Sequence, residues 1–175
     1  MPAKKTPKVA RAKSSPAQLY TLDVWILSGM MTRKFIKKNK IVCRTIQIRS
    51  DQTLADLHEC IFDAFDRFDP HLYEFQFGKG PHDRDAPRYG PEMPDDGFFD
   101  KEDKHVGIAE QTSLGSLGLK VGHSFGYWFD FGDDWMHQID VVAIDNDVPK
   151  GKYPKVVKRV GESPPQYLEE EDWDE

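Results

Sequence analysis

The chain has 175 residues, 38% of them hydrophobic and 12% aromatic, which is enough to fill the core of one ordinary domain. Charged residues make up 31%, and no apolar run approaches the roughly eighteen residues of a membrane span, which excludes a helical membrane protein. Cys43 and Cys60 are the only cysteines, too few for a disulfide framework or a four-thiolate zinc site, and both read as small buried hydrophobes.

The net charge of −6 conceals an asymmetry: residues 1–44 carry +10 and the remainder −16. Residues 1–16 are rich in Lys, Ala, Ser and Pro, lack the apolar stretch of a secretory signal, and read as a disordered basic arm on a cytoplasmic protein. Lys4, Lys5, Lys8 and Arg11, with Arg33, Lys34, Lys37 and Lys38 of a second basic run, are the candidate contacts for an anion such as a nucleic-acid phosphate. A solvated or self-contacting arm is the favoured alternative.

Folded sequence begins at residue 17. Alternation of Tyr20, Leu22, Val24 and Ile26 predicts a first strand, and Val42, Arg44, Ile46 and Ile48 a second. The basic run Arg33–Lys40 between them reads as a long hairpin loop. Thr53 with Asp56 makes a capping-box-like helix start. Leu54, Leu57, Ile61, Phe65 and Phe68 then form a core-facing stripe, with His58 off it and exposed, until Asp69-Pro70 stops the helix. Tyr73, Phe75 and Phe77 share one face of a third strand. From about 78 to 111 periodicity vanishes, and the stretch reads as a long irregular insert. A leucine-rich turn then leads to strands at 125–131 and 135–144. Residues 162–175 carry paired prolines and a run of acids, and read as a tail.

Strand, strand, helix, strand, insert, turn, strand, strand predicts one α+β domain over 17–161. The specific expectation is a ubiquitin-like β-grasp-type mixed sheet with one main helix packed on it. A split α/β sandwich also fits that order.

Five strings carry a sharper likeness: TLADLHECI, HLYEFQFG, YWFDFGDDWMHQIDV, KYP and GESPPQY. Over residues 19–167 the chain resembles the plasmid pRiA4b ORF-3-like family. The most specific block runs from Phe129 to His137; His71-Leu72 and Leu57-His58 match further short motifs. Where many members carry Trp-Arg-Arg before the helix, this chain has only Arg44, and where many end in Pro-Pro-Glu-Asp-Cys-Gly-Gly it has Pro164-Pro165-Gln166-Tyr167. The family has no established activity, so the resemblance implies a fold relative. The occurrence of some members in mobile elements points faintly to nucleic acid.

No glycine-rich phosphate loop, nucleophile elbow, His-Glu-x-x-His or Cys-x-x-Cys is present. Only FDFGDDWMH gathers groups able to hold a divalent metal or move protons: Asp130, Asp133, Asp134 and His137. A structural reading is favoured, with Asp133 and Asp134 in a turn and Asp130 bonded to His137 across a hairpin. A two-residue turn would set Asp130, His137, Trp128 and Trp135 on one face. With Asp133, Asp134 and His71 they make a candidate ligand or partner surface. The favoured function is therefore a binding or adaptor module for a protein partner, with no cofactor and no membrane contact. A metal-dependent enzyme and a nucleic-acid-associated protein are the alternatives.

Overall fold

The computed structural model describes residues 15–93 and 106–169; Lys4, Lys5, Lys8 and Arg11 of the basic arm lie outside them. Eight strands form one sheet: β1 (Leu19–Ser28), β2 (Cys43–Arg49), β3 (Tyr73–Gln76), β4 (Arg88–Gly90), β5 (Val106–Ile108), β6 (Ser124–Phe129), β7 (Trp135–Asp145) and β8 (Lys155–Val160). Their order is β5-β4-β3-β6-β7-β1-β2-β8, and every neighbouring pair is antiparallel except β4 with β5. No helix among the described residues is long and apolar enough to cross a membrane.

This architecture corrects the β-grasp expectation. Among the described residues the sheet has eight strands, with β1 antiparallel to β7 in its interior, and two short α-helices accompany it. The first, α1 (Arg33–Lys38), occupies the basic run expected to be a loop. Thr32 caps it by accepting from the Phe35 amide at 3.0 Å, and Lys37 and Lys38 favour its carbonyl end. Within the expected insert, β4 and β5 extend the sheet beyond β3. The edge strand β8 went unrecognised because Val156, Val157 and Val160 are interleaved with Lys155, Lys158 and Arg159. A bulge interrupts its pairing with β2 between Thr45 and Ile46.

The helix α2 (Leu54–Ala64) starts where expected, with a full capping box between Thr53 and Asp56. Leu54, Leu57, Ile61 and Phe65 are buried with Tyr20, Leu22, Val24, Ile46 and Ile48 in one core cluster. Two expectations on this helix fail. Phe68 is 71% exposed, because the helix ends at Ala64 and the chain leaves the helical spiral. His58 is buried, its ring stacked on Tyr73 at 3.6 Å and its Nδ1 2.7 Å from the Tyr127 hydroxyl. Arg44 secures the far end: its Nε donates to the Ala64 carbonyl at 2.9 Å, and its Nη1 to the carbonyls of Cys43, Val160 and Gly161.

Residues 162–167 were expected to belong to a tail. They pack instead as a strap against the loop that follows α2. Gln166 is buried, its Oε1 accepting from the amides of Phe68 and Asp69 and its Nε2 donating to the Asp69 carbonyl at 2.7 Å. One amide side chain thus satisfies three backbone groups that have left the helix.

Candidate functional site

The loop joining β6 to β7 holds the block singled out in the sequence. Phe129 pairs with Trp135 and Tyr127 with His137, so the connection spans the five residues Asp130–Asp134. An odd loop reverses the face parity expected of a two-residue turn. Trp135 and His137 lie on the α2 side, while Trp128 pairs with Met136 on the opposite face. The loop is held by its own acids. Asp130 and Asp134 adopt left-handed φ values of 58° and 52°. Asp130 Oδ1 accepts from the amides of Gly132 and Asp133 at 3.0 and 3.3 Å. Asp134 Oδ1 accepts from Trp128 Nε1 at 2.9 Å, and Trp128 stacks on Phe131.

The expected Asp130–His137 pair is absent. His137 is buried, its Nδ1 3.3 Å from the Tyr127 carbonyl and its ring against Phe65 and Tyr127. Burial, reinforced by the Arg67 guanidinium, pushes its pKa down to about 3, the reverse of what a carboxylate partner would do. Asp130 faces His71 instead, with Oδ2 3.5 Å from Nε2. The same nitrogen lies 3.5 Å from Asp69 Oδ2 and 2.8 Å from the Tyr167 hydroxyl, which donates to Asp69 at 2.5 Å. That last bond pushes the Tyr167 phenol up to about 12. Beneath the strap, Arg67 lies over the Trp135 ring at 3.9 Å and donates to the Pro164 carbonyl at 3.2 Å. On another side Gly29 backs onto Trp135, where an added Cβ would fall 2.1 Å from ring carbon Cε3.

Of the candidate residues, His71, Asp130 and Asp133 gather here, Trp135 lies behind them, and His137 is in the core. Trp128 and Asp134 sit together on the opposite face. No group of three or more His, Cys, Asp or Glu among the described residues could hold a metal ion. At this junction Asp130 holds two loop amides and faces His71, and Asp69 holds the Tyr167 phenol beside the same histidine, so these contacts fasten the strap and the hairpin. On α1, Arg33, Lys34, Lys37 and Lys38 are exposed, with Lys38 bound to Glu162 at 2.8 Å.

A second surface, missed in the sequence, covers the sheet face away from α2. Register assigns its rows. Gln76, Gly126, Gln138, Trp25 and Cys43 pair in succession across β3, β6, β7, β1 and β2. Two residues further along, Ser124, Asp140, Asp23, Thr45 and Lys158 form the next row. Two contiguous depressions of about 180 and 260 Å³ lie on this face and share Leu27 and Gln138. Gly126 leaves the floor of the first bare. A Cβ there would stay 3.5 Å from its nearest neighbour, Gln76, so the position accepts a side chain. The available signal was Trp25, a large aromatic on the polar side of an alternating strand.

Among the described residues the fold and its two surfaces define a class: a mostly antiparallel eight-stranded sheet with a short helix on one face and two depressions on the other. Residues 34–171 match the family described as Plasmid pRiA4b ORF-3-like protein, and the chain belongs to that family. Among solved structures it is similar to a protein of unknown function, MM3350, from Methanosarcina mazei Go1. The TM-score is 0.61 at 21% identity, covering 82% of this chain and 69% of that one, a likeness of fold. None of the curated proteins compared matches the chain.

Proposed function

We propose that the chain is a binding module that receives a protein partner on its open sheet face. The observation that carries this reading is the pair of contiguous depressions there, bordered by Trp25, Leu27, Gln76, Gln138 and Asp140 around the bare Gly126. A concave surface with aromatic, amide and carboxylate groups supplies the apolar anchor and the orienting polar contacts that recognition needs. The FDFGDDWMH block supports the module from below by fixing the hairpin. We place the protein in the cytoplasm, in keeping with its two free cysteines, Cys43 and Cys60.

The test is a photo-crosslinking residue at Gln138, compared with one at exposed Asp63 on α2, in extract of the source cells. A discrete adduct from position 138, absent from position 63 and lost when Gly126→Arg fills the floor, is the expected result. Equal labelling from both positions, or labelling indifferent to Gly126→Arg, would refute the reading.

A further inference from the structure

Resting on that reading, we infer that the open face seats an arginine side chain of the partner, between Asp23 and Asp140 and beside Trp25. Asp23 and Asp140 are direct cross-strand partners, on the same face, on adjacent central strands. Carboxylates in that relation stand about 4.5–5.5 Å apart at Cβ and repel one another. Neither forms a salt bridge with a basic side chain among the described residues. Their neighbours are neutral donors. Thr45 Oγ1 donates to Asp23 Oδ1 at 2.6 Å; Ser124 Oγ and Gln138 Nε2 donate to Asp140 Oδ1 at 2.5 and 2.8 Å. Each of these bonds falls on Oδ1. They fix the orientation of both acids without neutralising either.

Trp25 lies two residues beyond Asp23 on the same strand, and so on the same face. Asp140 and Trp25 both border the larger depression, which joins the Gly126 floor through Leu27 and Gln138. An acidic pair, one member of which borders a recess together with an indole, suits a guanidinium: planar, weakly hydrated, able to bond two carboxylates and to lie against an aromatic ring. An ammonium matches only the charge. Lys40 and Lys79 border the depressions and Lys158 ends the second row. All three are exposed, on flexible stems that can turn outward, whereas the two aspartates are fixed in the sheet.

The test uses the full chain and two small probes, ethylguanidinium and ethylammonium, followed by NMR. Ethylguanidinium is expected to give saturable shifts at the Trp25 indole N–H and the amides of Asp23 and Asp140. Ethylammonium should bind about tenfold more weakly. The double variant Asp23→Asn/Asp140→Asn should abolish the guanidinium shifts while its melting temperature holds or rises by a few degrees, because a like-charge pair has been removed. Unsaturable shifts, shifts that survive in the double variant, equal response to both cations, or a fall in melting temperature would each overturn the arginine seat. Crosslinking at Gln138 separates the two proposals. An adduct sensitive to Gly126→Arg but unaffected by the double variant leaves the face as the contact surface and removes arginine from it.

Discussion

His58 and His137 are both buried among aromatic rings, and burial pushes their pKa values down to about 4 and about 3. A histidine depressed in the folded state is neutral there and charges on unfolding. Between each folded value and the unfolded value near 6.5 the unfolded chain binds more protons, so stability is full above about pH 6.5 and is lost as pH falls. Going from pH 7 to pH 5, each histidine should remove about 2 kcal/mol, read from urea denaturation at the two pH values. His137→Gln should flatten that dependence in part; an unchanged slope would mean that His137 does not contribute to it. The same residue shows what was hard to read. Nothing in the string FDFGDDWMH distinguishes a two-residue turn from a five-residue loop. That one difference moved His137 from a polar pair with Asp130 into the core.

Helix α2 was legible because its cap, its stripe and its packing all agree: Thr53 and Asp56 mark the start, and the Leu54–Phe65 spacing marks the buried side. Its end was not, since the group that finishes it comes from another element. Arg44 joins the Ala64 carbonyl of α2, the carbonyls closing β8, and Ser163 Oγ of the strap at 3.0 Å. Arg44→Leu should therefore cost about 3–5 kcal/mol, since it removes several hydrogen bonds of a buried charge at once, with only the Ala64 carbonyl still served by Arg159. Arg44→Lys should recover little, a point charge being unable to reach so many oxygens. Hydrogen exchange gives a sharper check. The Phe68 and Asp69 amides held by Gln166 should lose protection in Arg44→Leu, and full protection there would show that strap and helix are fastened independently. The helix α1 was missed for a different reason. Six residues with four cations look solvated, and only the Thr32 cap and the half-buried Phe35 mark a helix.

Across the whole molecule, the strands at the centre of the sheet were readable because one side of each is apolar. Tyr20, Leu22, Val24, Ile46, Ile48, Tyr73 and Phe75 lie in the core as their alternation required. The margins were not readable, since β4 and β5 have three residues each and β8 carries its valines among cations. The polar junction under the strap was equally hidden: Asp69, His71, Asp130 and Tyr167 are brought together by pairings that no local pattern announces.

The irregular margin at β8 bears on how the protein behaves in concentrated solution. A strand at the border of a sheet exposes backbone groups that a neighbouring molecule can copy into a growing fibre. Here the bulge breaks the straight row of donors and acceptors, while Lys155 and Lys158 set positive charge along it. Val157 and Val160, 48% and 37% exposed, would otherwise be an adhesive strip. Replacing both lysines with valine would leave a run of five valines broken only by Arg159. That variant should keep its fold in dilute solution yet gain thioflavin fluorescence and light scattering on concentration, while the parent stays clear. If the two remain equally clear, the bulge alone is enough to protect the border.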